Sequence, residues 1–501
     1  MIRRVHTENG WVRGLPAADP RITGYKGIPF ADKPIGKNRW RAPQPCPDWE
    51  GELFAADFGP IAMQANCAGD PKKDIYAREW AVDATLPMSE DCLYLNVWAP
   101  ADGRKNMPVY VWYFGGGLQV GNTAEMEFDG ERIARRGIVV VTVGYRLNAF
   151  GFLCHPEITK EAPEAPANFG FLDQQFATNW VKRNISAFGG DPDNITIGGQ
   201  SAGGMSVCAQ MTCAQNKGLF TRAIVESGTF LKPYPGKMGI RTRTLQEAEQ
   251  QGIAFFEALG VKTLEEARKL DARMIEDMSL SWPWGCWGEA VDGMFSTYPS
   301  GEWYMHPERI QCPVMLGFTS NEFSDALQME SEDALKAYAK EMYPDEAENF
   351  LSLFHAPYTR ESIEEKSRIH MIGFAVRKAA RENAKNGVSS PLYAYYFDAE
   401  IPGWDNPGAF HSVDLWFFFE TLAKCWRPFR GMHYDLARQM CDYWSNFIKT
   451  GNPNGLDLHG NALPEWKPLT ADEGNRMVFK TCASPDIQSE SPIEKFLLDR
   501  I

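Results

Sequence analysis

Short runs of apolar, largely β-branched residues recur along the chain and predict buried strands. Each run has the length of a strand, and strands that are apolar on both faces belong in a sheet that is covered on both sides. A further stretch, Ser89 to Trp98, ends in an alternating strand. The apolar runs are Pro108 to Tyr113, Ile138 to Gly144, Ile195 to Ile197, Thr221 to Gly228, Cys312 to Phe318 and Pro391 to Asp398.

Segments with helical spacing lie between these runs. Apolar residues recur every three to four positions in Asn168 to Phe188, and Tyr434 to Lys449 has an amphipathic pattern. Residues 244–280 and 331–386 are also predicted to be helical. Because strands alternate with helices, the strands are expected to pair in parallel. The pattern predicts an α/β fold with a large, mostly parallel central sheet covered by helices.

The ends of the pattern indicate how the chain is divided. Thr7 to Phe30 contains short alternating segments broken by glycines, which is typical of antiparallel strands at a sheet edge. The sequence has neither an internal repeat nor a flexible linker. Residues 1–501 are therefore predicted to form a single domain, with helical insertions at about 230–290 and 325–386.

Composition and charge exclude several classes of protein. The chain has 501 residues, of which 44% are hydrophobic and 13% aromatic, as expected for a globular protein with a large core. A net charge of -14 argues against a nucleic-acid partner. Since no apolar run is long enough to cross a membrane, no membrane partner is expected. The segment Met1 to Gly10 lacks the apolar core of a secretory signal, so the cytoplasm is expected unless a leader was removed.

The eleven cysteines show neither CxxC pairs nor His/Cys clusters at zinc spacing. No metal site is predicted.

The stretch Gly198 to Gly204 predicts a strand, a sharp turn and a helix, with Ser201 at the apex. Within it, Gly199-Gln200-Ser201-Ala202-Gly203 has the pattern of a nucleophile elbow, which projects a serine hydroxyl above a sheet. Such a turn requires glycines where the strand and the helix crowd together. A five-residue pattern of this kind also occurs in simple glycine-rich turns, but the surrounding strand and helix favour a catalytic serine.

Three glycines follow the strand that ends at Tyr113, in Phe114-Gly115-Gly116-Gly117-Leu118. Without side chains, their N–H groups can approach a ligand atom, as an oxyanion hole requires. A plain tight turn is the alternative interpretation of this segment.

A serine nucleophile needs a histidine base and a carboxylate, and on a sheet of this kind they follow the serine in the order acid, then histidine. Glu322 comes four residues after the strand ending at Phe318 and lies on the correct edge, although a helix-capping or solvated carboxylate is the alternative. His411 follows the strand Leu392 to Phe397 through a glycine-containing loop. It is the best candidate among the downstream histidines, a surface-loop histidine being the alternative.

Several longer stretches resemble the type-B carboxylesterases of the carboxylesterase/cholinesterase family, an α/β-hydrolase group. The family's second signature is similar almost letter for letter to Ser89-Glu90-Asp91-Cys92-Leu93-Tyr94-Leu95-Asn96-Val97-Trp98. The resemblance extends from about Gly10 to Phe479. Other family-like stretches are Tyr145-Arg146, Phe150 to Leu153, Asn168 to Gln175, Phe188 to Pro192, Tyr443-Trp444 and Lys449 to Pro453.

The resemblance implies a role for individual residues of this chain. Ser201 is expected to be the nucleophile, Glu322 the triad acid and His411 the base. Asp414 and Ser227 match positions whose side chains surround and support the triad without belonging to it. The oxyanion donors implied by the resemblance are the N–H groups of Gly116, Gly117 and Ala202.

Two features bear on how far the resemblance extends. Family members usually carry glutamate immediately before the serine, whereas this chain has Gln200, so a cationic ester loses an expected electrostatic partner. Cys67 and Cys92 match a pair that forms a disulfide in secreted relatives. In a reducing cytosol these two cysteines are expected to remain thiols.

Together these observations predict a serine carboxylic ester hydrolase that works through an acyl-enzyme on a small-molecule ester and needs no cofactor. The alternatives are a catalytically inactive cholinesterase-like binding protein and an amide or thioester hydrolase. Neutral esters with an aromatic or bulky apolar group, such as feruloyl or other hydroxycinnamoyl esters, are the expected substrates. Aromatic residues expected near the site are Trp282, Trp284, Trp287, Phe295, Tyr298 and Trp416 to Phe419.

Overall fold

The computed structural model describes residues 1–65, 72–79, 85–236 and 242–501, and strands run through most of this length. The strands are β1 (Arg4–Thr7), β2 (Gly10–Arg13), β3 (Leu15–Pro16), β4 (Ile22–Pro29), β5 (Glu52–Phe54), β6 (Tyr94–Pro100), β7 (Met107–Tyr113), β8 (Val139–Val143), β9 (Gly190–Gln200), β10 (Arg222–Glu226), β11 (Arg243–Thr244), β12 (Ala290–Val291), β13 (Val314–Thr319), β14 (Ser324–Asp325), β15 (Ile369–His370), β16 (Leu392–Phe397), β17 (Asn475–Phe479) and β18 (Ala483–Ile487).

Eleven strands of the described ranges form one mixed sheet in the order β18-β17-β16-β13-β10-β9-β7-β8-β6-β4-β3. From β17 to β8 the neighbours pair in parallel, and the pairs at the two edges are antiparallel. The parallel strands end at one edge, which therefore gathers the loops that follow them. The predicted mostly parallel sheet with antiparallel strands near the N-terminus is confirmed.

The described residues also form α-helices, several of which pack against strands of this sheet. They are α1 (Ile75–Glu79), α2 (Glu131–Ala134), α3 (Asn148–Phe152), α4 (Pro156–Glu161), α5 (Phe169–Asn184), α6 (Ala202–Thr212), α7 (Leu245–Ala258), α8 (Leu264–Arg268), α9 (Ala272–Leu280), α10 (Glu332–Met342), α11 (Ala347–Leu351), α12 (Arg360–Ser367), α13 (Met371–Lys385), α14 (Leu415–Phe418), α15 (Gly431–Thr450) and α16 (Pro492–Leu498).

The helical insertions expected from the sequence coincide with α7 to α9 and with α10 to α13. Their assignment as insertions into a single domain stays a prediction. None of the helices in the described part of the chain is both long and apolar enough to span a bilayer.

Strand β6 differs from the alternating strand expected from its sequence, because all of its residues after Tyr94 are buried. Asn96 points into the protein and not towards solvent. Its side-chain amide donates to the hydroxyls of Thr123 and Thr142, and its carbonyl accepts from the N–H of Gly27. These bonds compensate the burial of a polar group, so a polar position in a strand pattern can lie inside the fold.

Buried aromatic side chains make up much of the core behind the sheet. The run Trp416 to Phe419, expected near the active site, is at most 1% exposed and packs in this core. Phe418 stacks on Trp444 at a ring distance of 5.7 Å, and Phe419 meets Trp112 edge-on at 5.1 Å. The expectation for this run was wrong, because richness in aromatic residues does not distinguish a packed core from an open cleft.

A second hydrophobic cluster, here called the cap cluster, lies apart from the main core. It joins the helices of the 325–386 region to the last helix, α16. Its buried members are Tyr234, Leu327, Leu335, Ala339, Ala347, Phe350, Phe354, Ile363, Ile369, Phe374, Ile493, Phe496, Leu497 and Leu498.

The proposed cysteine pair falls partly outside the described residues, because Cys67 lies there. Cys92 is buried, and burial raises the pKa of its thiol. The reduced state of this pair stays a prediction.

Candidate active site

The turn between β9 and α6 holds Ser201 in an unusual backbone conformation. The residue has φ 57° and ψ -124°, a region that residues other than glycine rarely adopt. A hydrogen bond of 2.8 Å from its N–H to the carbonyl of Glu226 on β10 holds the turn in this conformation. Ser201 is partly exposed, whereas its neighbours Gln200 and Ala202 are buried. The sequence prediction of a strand, a sharp turn and a helix is confirmed.

Glycines beside the serine allow the strand and helix to approach this closely. A β-carbon at Gly199 would collide with the carbonyl group of Gly203, and one at Gly203 would collide with the carbonyl oxygen of Tyr113. A β-carbon at Gly204 would lie 2.9 Å from the α-carbon of Gly228. Any side chain at these positions would force α6 away from the sheet and displace the serine.

The loop after β7 brings three glycines against the serine. A β-carbon at Gly115 would lie 3.2 Å from the β-carbon of Ser201, and Gly116 and Gly117 have φ values of 106° and 66°. Among the described residues, none accepts a hydrogen bond from the N–H of Gly116, Gly117 or Ala202. These three N–H groups are thus without an acceptor in the turn and loop around Ser201, and an oxyanion hole requires N–H donors of this kind.

A short backbone pairing brings the candidate acid and histidine together. Asn321 and Phe410 form an isolated parallel bridge, and the N–H of Asn321 donates to the carbonyl of Ala409 over 3.0 Å. The residues that follow are Glu322 and His411, so the two side chains start from adjacent backbone positions. Glu322 Oε2 contacts His411 Nδ1.

Glu322 is held as an ionised acceptor by several donors. Its other oxygen, Oε1, accepts from the Ser227 hydroxyl and from the N–H of Thr319, both over 2.7 Å. Its side chain is fully buried. Burial alone raises the pKa of Glu322, but the neighbouring His411 and these hydrogen bonds outweigh it and lower the pKa below its usual value.

The far nitrogen of the histidine faces an amide in this arrangement. His411 Nε2 lies 3.2 Å from Nε2 of Gln200, which is 2% exposed. No hydrogen bond between the Ser201 hydroxyl and His411 occurs among those of the described residues. The structure therefore brings Gln200, His411 and Glu322 into a direct chain of contacts, with Ser201 next to Gln200 in sequence.

Two further carboxyl groups near these side chains, those of Asp414 and Glu226, are buried. Asp414 Oδ2 accepts from the hydroxyl of Tyr395 over 2.8 Å, and the hydrogen bonds of the described residues include none between Asp414 and the histidine ring. Burial and the charge of Glu322 raise the pKa of Asp414 to about 7. Glu226 accepts from the indole N–H of Trp444 over 2.6 Å, and burial and Asp414 raise its pKa well above the usual value. Both groups therefore hold a proton to higher pH than ordinary carboxyl groups do.

Exposed aromatic rings border the serine and the histidine. Trp284 is 63% exposed, and a β-carbon on Gly117 would lie 2.7 Å from its indole ring. Phe323 is 41% exposed and meets the His411 ring edge-on at 4.7 Å. Phe230 packs edge-on against Phe323 at 5.2 Å. The site thus has an apolar wall on the glycine side and another on the histidine side.

The other aromatic residues expected at the site are buried or pack against other rings. Trp287 and Phe295 are buried, and Trp282 packs on Trp287 at 5.6 Å. Tyr298 stacks on His306. Of the rings named from the sequence, Trp284 contacts the glycine loop.

Several contacting residues were missed from the sequence. Phe323 directly follows the predicted acid, and that position was the available signal for it. Glu226 is a carboxylate inside the apolar strand β10, next to Ser227, and this anomaly was also visible. The Thr319 N–H carried no signal, because every residue but proline has one.

Comparisons with known proteins show the family of this chain. A model of the carboxylesterase family matches residues 2–492. The para-nitrobenzyl esterase of Bacillus subtilis (strain 168) is 33% identical over 475 residues, covering 90% of each chain. The acetylcholinesterase of Bungarus fasciatus is 30% identical over 515 residues, covering 92% of this chain and 81% of the other. A solved PNB esterase matches with a TM-score of 0.79 and 28% identity, covering 99% of both chains. The chain therefore belongs to the carboxylesterase family, shares its α/β-hydrolase fold, and is an enzyme that hydrolyses carboxylic esters.

Proposed function

We propose that this esterase acts through an acyl-enzyme on Ser201, with His411 as base and Glu322 as the acid that orients it. The observation that carries the proposal is the contact between the buried Glu322 and His411 Nδ1, beside a serine in a strained elbow. A carboxylate paired with Nδ1 fixes the ring tautomer and stabilises the imidazolium that forms when Nε2 takes a proton.

The chemistry follows from these positions. The Ser201 oxygen attacks the ester carbonyl while His411 Nε2 takes the hydroxyl proton, and the N–H groups of Gly116, Gly117 and Ala202 stabilise the oxyanion. His411 then gives this proton to the leaving alcohol as the carbon–oxygen bond breaks. Water repeats the sequence on the acyl-enzyme and releases the acid.

The proposed substrates are neutral esters with an aromatic or other bulky apolar group, hydroxycinnamoyl esters among them. Gln200 stands where the family resemblance leads one to expect glutamate, so the serine lacks a neighbouring charge that would attract a cation. The exposed rings of Trp284 and Phe323 support an apolar partner on either side of the reacting carbonyl. A ring stacked on an aryl group contributes about 0.5–1.5 kcal/mol, or up to roughly tenfold in affinity.

The nucleophile is tested with Ser201→Ala, which should lower kcat by at least about 10³-fold with an unchanged circular dichroism spectrum. An organophosphate should label the wild-type protein on a peptide containing Ser201 and should not label the variant. Wild-type turnover by the variant would eliminate the acyl-enzyme proposal.

The substrate class is tested by comparing kcat/KM for methyl ferulate, an aryl acetate, a choline ester and a long-chain triglyceride. A matched pair isolates charge, because choline and 3,3-dimethylbutyl esters of one acid have nearly the same shape. We expect the neutral member of the pair to be preferred. If the choline ester has the highest kcat/KM, the proposal of a neutral substrate is wrong.

The aromatic wall is tested with Trp284→Ala. Its kcat/KM for methyl ferulate should fall by about two- to tenfold, while that for methyl acetate changes less. Trp404→Ala provides the control, since Trp404 is also largely exposed, at 71%, and packs against Trp426 and not against the glycine loop. Equal losses on both esters in W284A would show that the ring does not recognise the aryl group.

A further inference from the structure

We propose that His370 is a positioning residue for Glu322, because it joins the turn that carries this acid to the first turn of helix α13. The inference rests on the proposed function, in which Glu322 orients the general base. His370 is the last residue of β15 and the N-cap of α13, and its ring lies between the carbonyl of Thr319 and the N–H of Gly373. It acts on the reaction through Glu322 and not on the reacting atoms.

The backbone groups on either side of the ring determine the direction of both hydrogen bonds. A backbone N–H can only donate, and a carbonyl oxygen can only accept. Gly373 therefore donates to His370 Nδ1 over 3.3 Å, and His370 Nε2 carries the proton that it donates to the Thr319 carbonyl over 3.1 Å. These bonds require one tautomer of the neutral ring, and burial, which lowers the pKa of His370, favours the neutral ring.

Thr319 connects this ring to the triad acid. It is the last residue of β13 and is fully buried. Its N–H donates to Glu322 Oε1 over 2.7 Å, while its carbonyl accepts from His370. Because both groups belong to one residue, the hydrogen bond from His370 restrains the backbone that places a donor on the acid.

The backbone next to His370 holds the other side of the same turn. Strands β14 and β15 pair antiparallel, and the N–H of Met371 donates to the carbonyl of Phe323 over 2.9 Å. Glu322 thus lies between two residues, Thr319 and Phe323, that are both bonded to the start of α13. The junction of β15 and α13 therefore fixes the backbone before and after the acid.

Close packing limits the movement of the His370 ring. Its centroid lies 4.2 Å from that of the Phe318 ring. A β-carbon at Gly373 would lie 2.9 Å from Cζ of the same phenylalanine, so the first turn of α13 rests directly on the end of β13. In an interior packed this closely, the ring keeps its position only while both of its hydrogen bonds are made.

Two amide side chains separate the two hydrogen bonds of the ring. His370→Asn puts an oxygen near the position of Nδ1 and keeps the N-cap, but it is too short to donate to Thr319. His370→Gln puts an amide N–H near the position of Nε2 and loses the N-cap acceptor. Circular dichroism shows whether each variant is folded.

We expect activity and stability to change in opposite variants. H370N should lower kcat about tenfold with KM changed by less than about twofold, because it loses the bond to Thr319. H370Q should keep kcat within about twofold, although its thermal midpoint falls by about 2 °C. If kcat is lower in H370Q than in H370N, activity follows the stability of α13 and the inference is overturned.

His155→Asn is the matched control. His155 is also an N-cap histidine, on α4, where Nδ1 accepts from the N–H of Glu157 over 3.2 Å and the ring stacks on Phe256. Its variant should keep kcat within about twofold, since these contacts do not include the triad. Equal losses of kcat in H155N and H370N would contradict the inference.

A double-variant cycle with Glu322→Gln tests whether His370 acts through the acid. H370N should lower the residual kcat of E322Q by less than about twofold, against about tenfold in the wild type. Equal factors in both backgrounds would mean that His370 acts elsewhere. If E322Q itself keeps wild-type kcat, Glu322 is not the acid and the proposed function fails instead, so the two failures are distinguishable.

A spectroscopic measurement does not depend on turnover. In proton nuclear magnetic resonance, the Nδ1–H signal of His411, which faces Glu322, should move in H370N and remain in place in H370Q. An unchanged signal in H370N would show that the acid keeps its position without His370, and the inference would be wrong.

Discussion

Gly116 is the residue at which backbone geometry most directly limits the chemistry. Its φ is 106°, and a β-carbon there would collide with the carbonyl oxygen of Val120. Gly116→Ala should therefore displace a proposed oxyanion donor and lower kcat/KM by about 10²-fold or more. Steady-state kinetics on an aryl ester measures this.

The matched control for this variant is Gly218→Ala. Gly218 also has a positive φ, of 81°, but nothing lies within 4 Å of its β-carbon position. It should lose about 1–2 kcal/mol of stability and keep its activity. If G116A and G218A show equal kcat/KM, Gly116 does not position a donor.

The raised pKa of Asp414 predicts that the stability of the protein depends on pH. Its pKa is raised to about 7 in the fold, against about 3.9 in an unfolded chain. The folded state therefore holds a proton that the unfolded chain loses, and wild-type stability decreases as pH rises from about 4 through about 7. Asp414→Asn has no proton to lose and still accepts from Tyr395. Its free energy of unfolding relative to wild type should increase across this window.

Urea unfolding at pH 5 and at pH 8 checks the Asp414 prediction. Taking the difference between variant and wild type removes the contribution of all other titrating groups, provided that they are unaffected. A difference that does not change with pH would mean that Asp414 is ionised throughout.

At the scale of elements, helix α1 is anchored by a buried ion-pair network. Arg427 contacts both oxygens of Glu79 at 2.9 and 3.0 Å and both oxygens of Asp405 at 3.0 and 3.1 Å, and the side chains of Arg427 and Glu79 are fully buried. Arg427→Met removes the cation that is paired with the buried Glu79 carboxylate, while Asp405 keeps Arg78 at 2.9 Å, and the variant should reduce stability by about 3–5 kcal/mol. Thermal or urea unfolding measures the loss.

The double variant E79Q/R427M tests the physical reason. Removing the charge of Glu79 as well should restore part of the stability, because the penalty arises from an unpaired buried charge and not from the lost side chain. No recovery would point to packing instead. The same helix carries Tyr76, whose pKa the surrounding protein and the charge of Glu322 raise to about 12, so the network also holds a residue beside the site.

The elements differ in how far the sequence alone could predict their structure and contacts. The elbow was predictable because its glycines mark where backbone must meet backbone, and the order of Ser201, Glu322 and His411 follows the strands. The contact between Gln200 and His411 was not predictable, because the two residues are 211 positions apart and the contact depends on the conformations of their side chains. The run Trp416 to Phe419 was misplaced for a related reason. Its rings are buried by α15 and β7. The residues of the segment itself do not show which other elements cover these rings.

At the scale of the molecule, the main core and the cap cluster should respond separately to a cavity. Phe350 is fully buried in the cap cluster, with Tyr343, Phe354 and Phe496 at ring distances of 4.8, 5.3 and 5.3 Å. Phe350→Ala should cost about 3–5 kcal/mol. Hydrogen exchange should accelerate in α10, α11 and α16 and remain slow in the central strands.

Phe447→Ala is the corresponding cavity in the main core, since Phe447 on α15 is also fully buried. Its effect on hydrogen exchange should extend to the central strands. If F350A accelerates exchange in the central strands as strongly as F447A does, the two clusters unfold as one unit and the separation is wrong.

Because α16 belongs to the cap cluster, this cluster can be completed only late in the synthesis of the chain. Helix α13 ends at Lys385 and α16 begins at Pro492, so a ribosome must add more than 100 residues between them. At about 5–20 residues per second, this takes about 5–20 s. During that interval the rings of Phe350 and Tyr343 lack their contact with Phe496, and their apolar face is open to solvent. The nascent chain therefore passes through a stage in which this face is available to chaperones, and it closes only when α16 arrives.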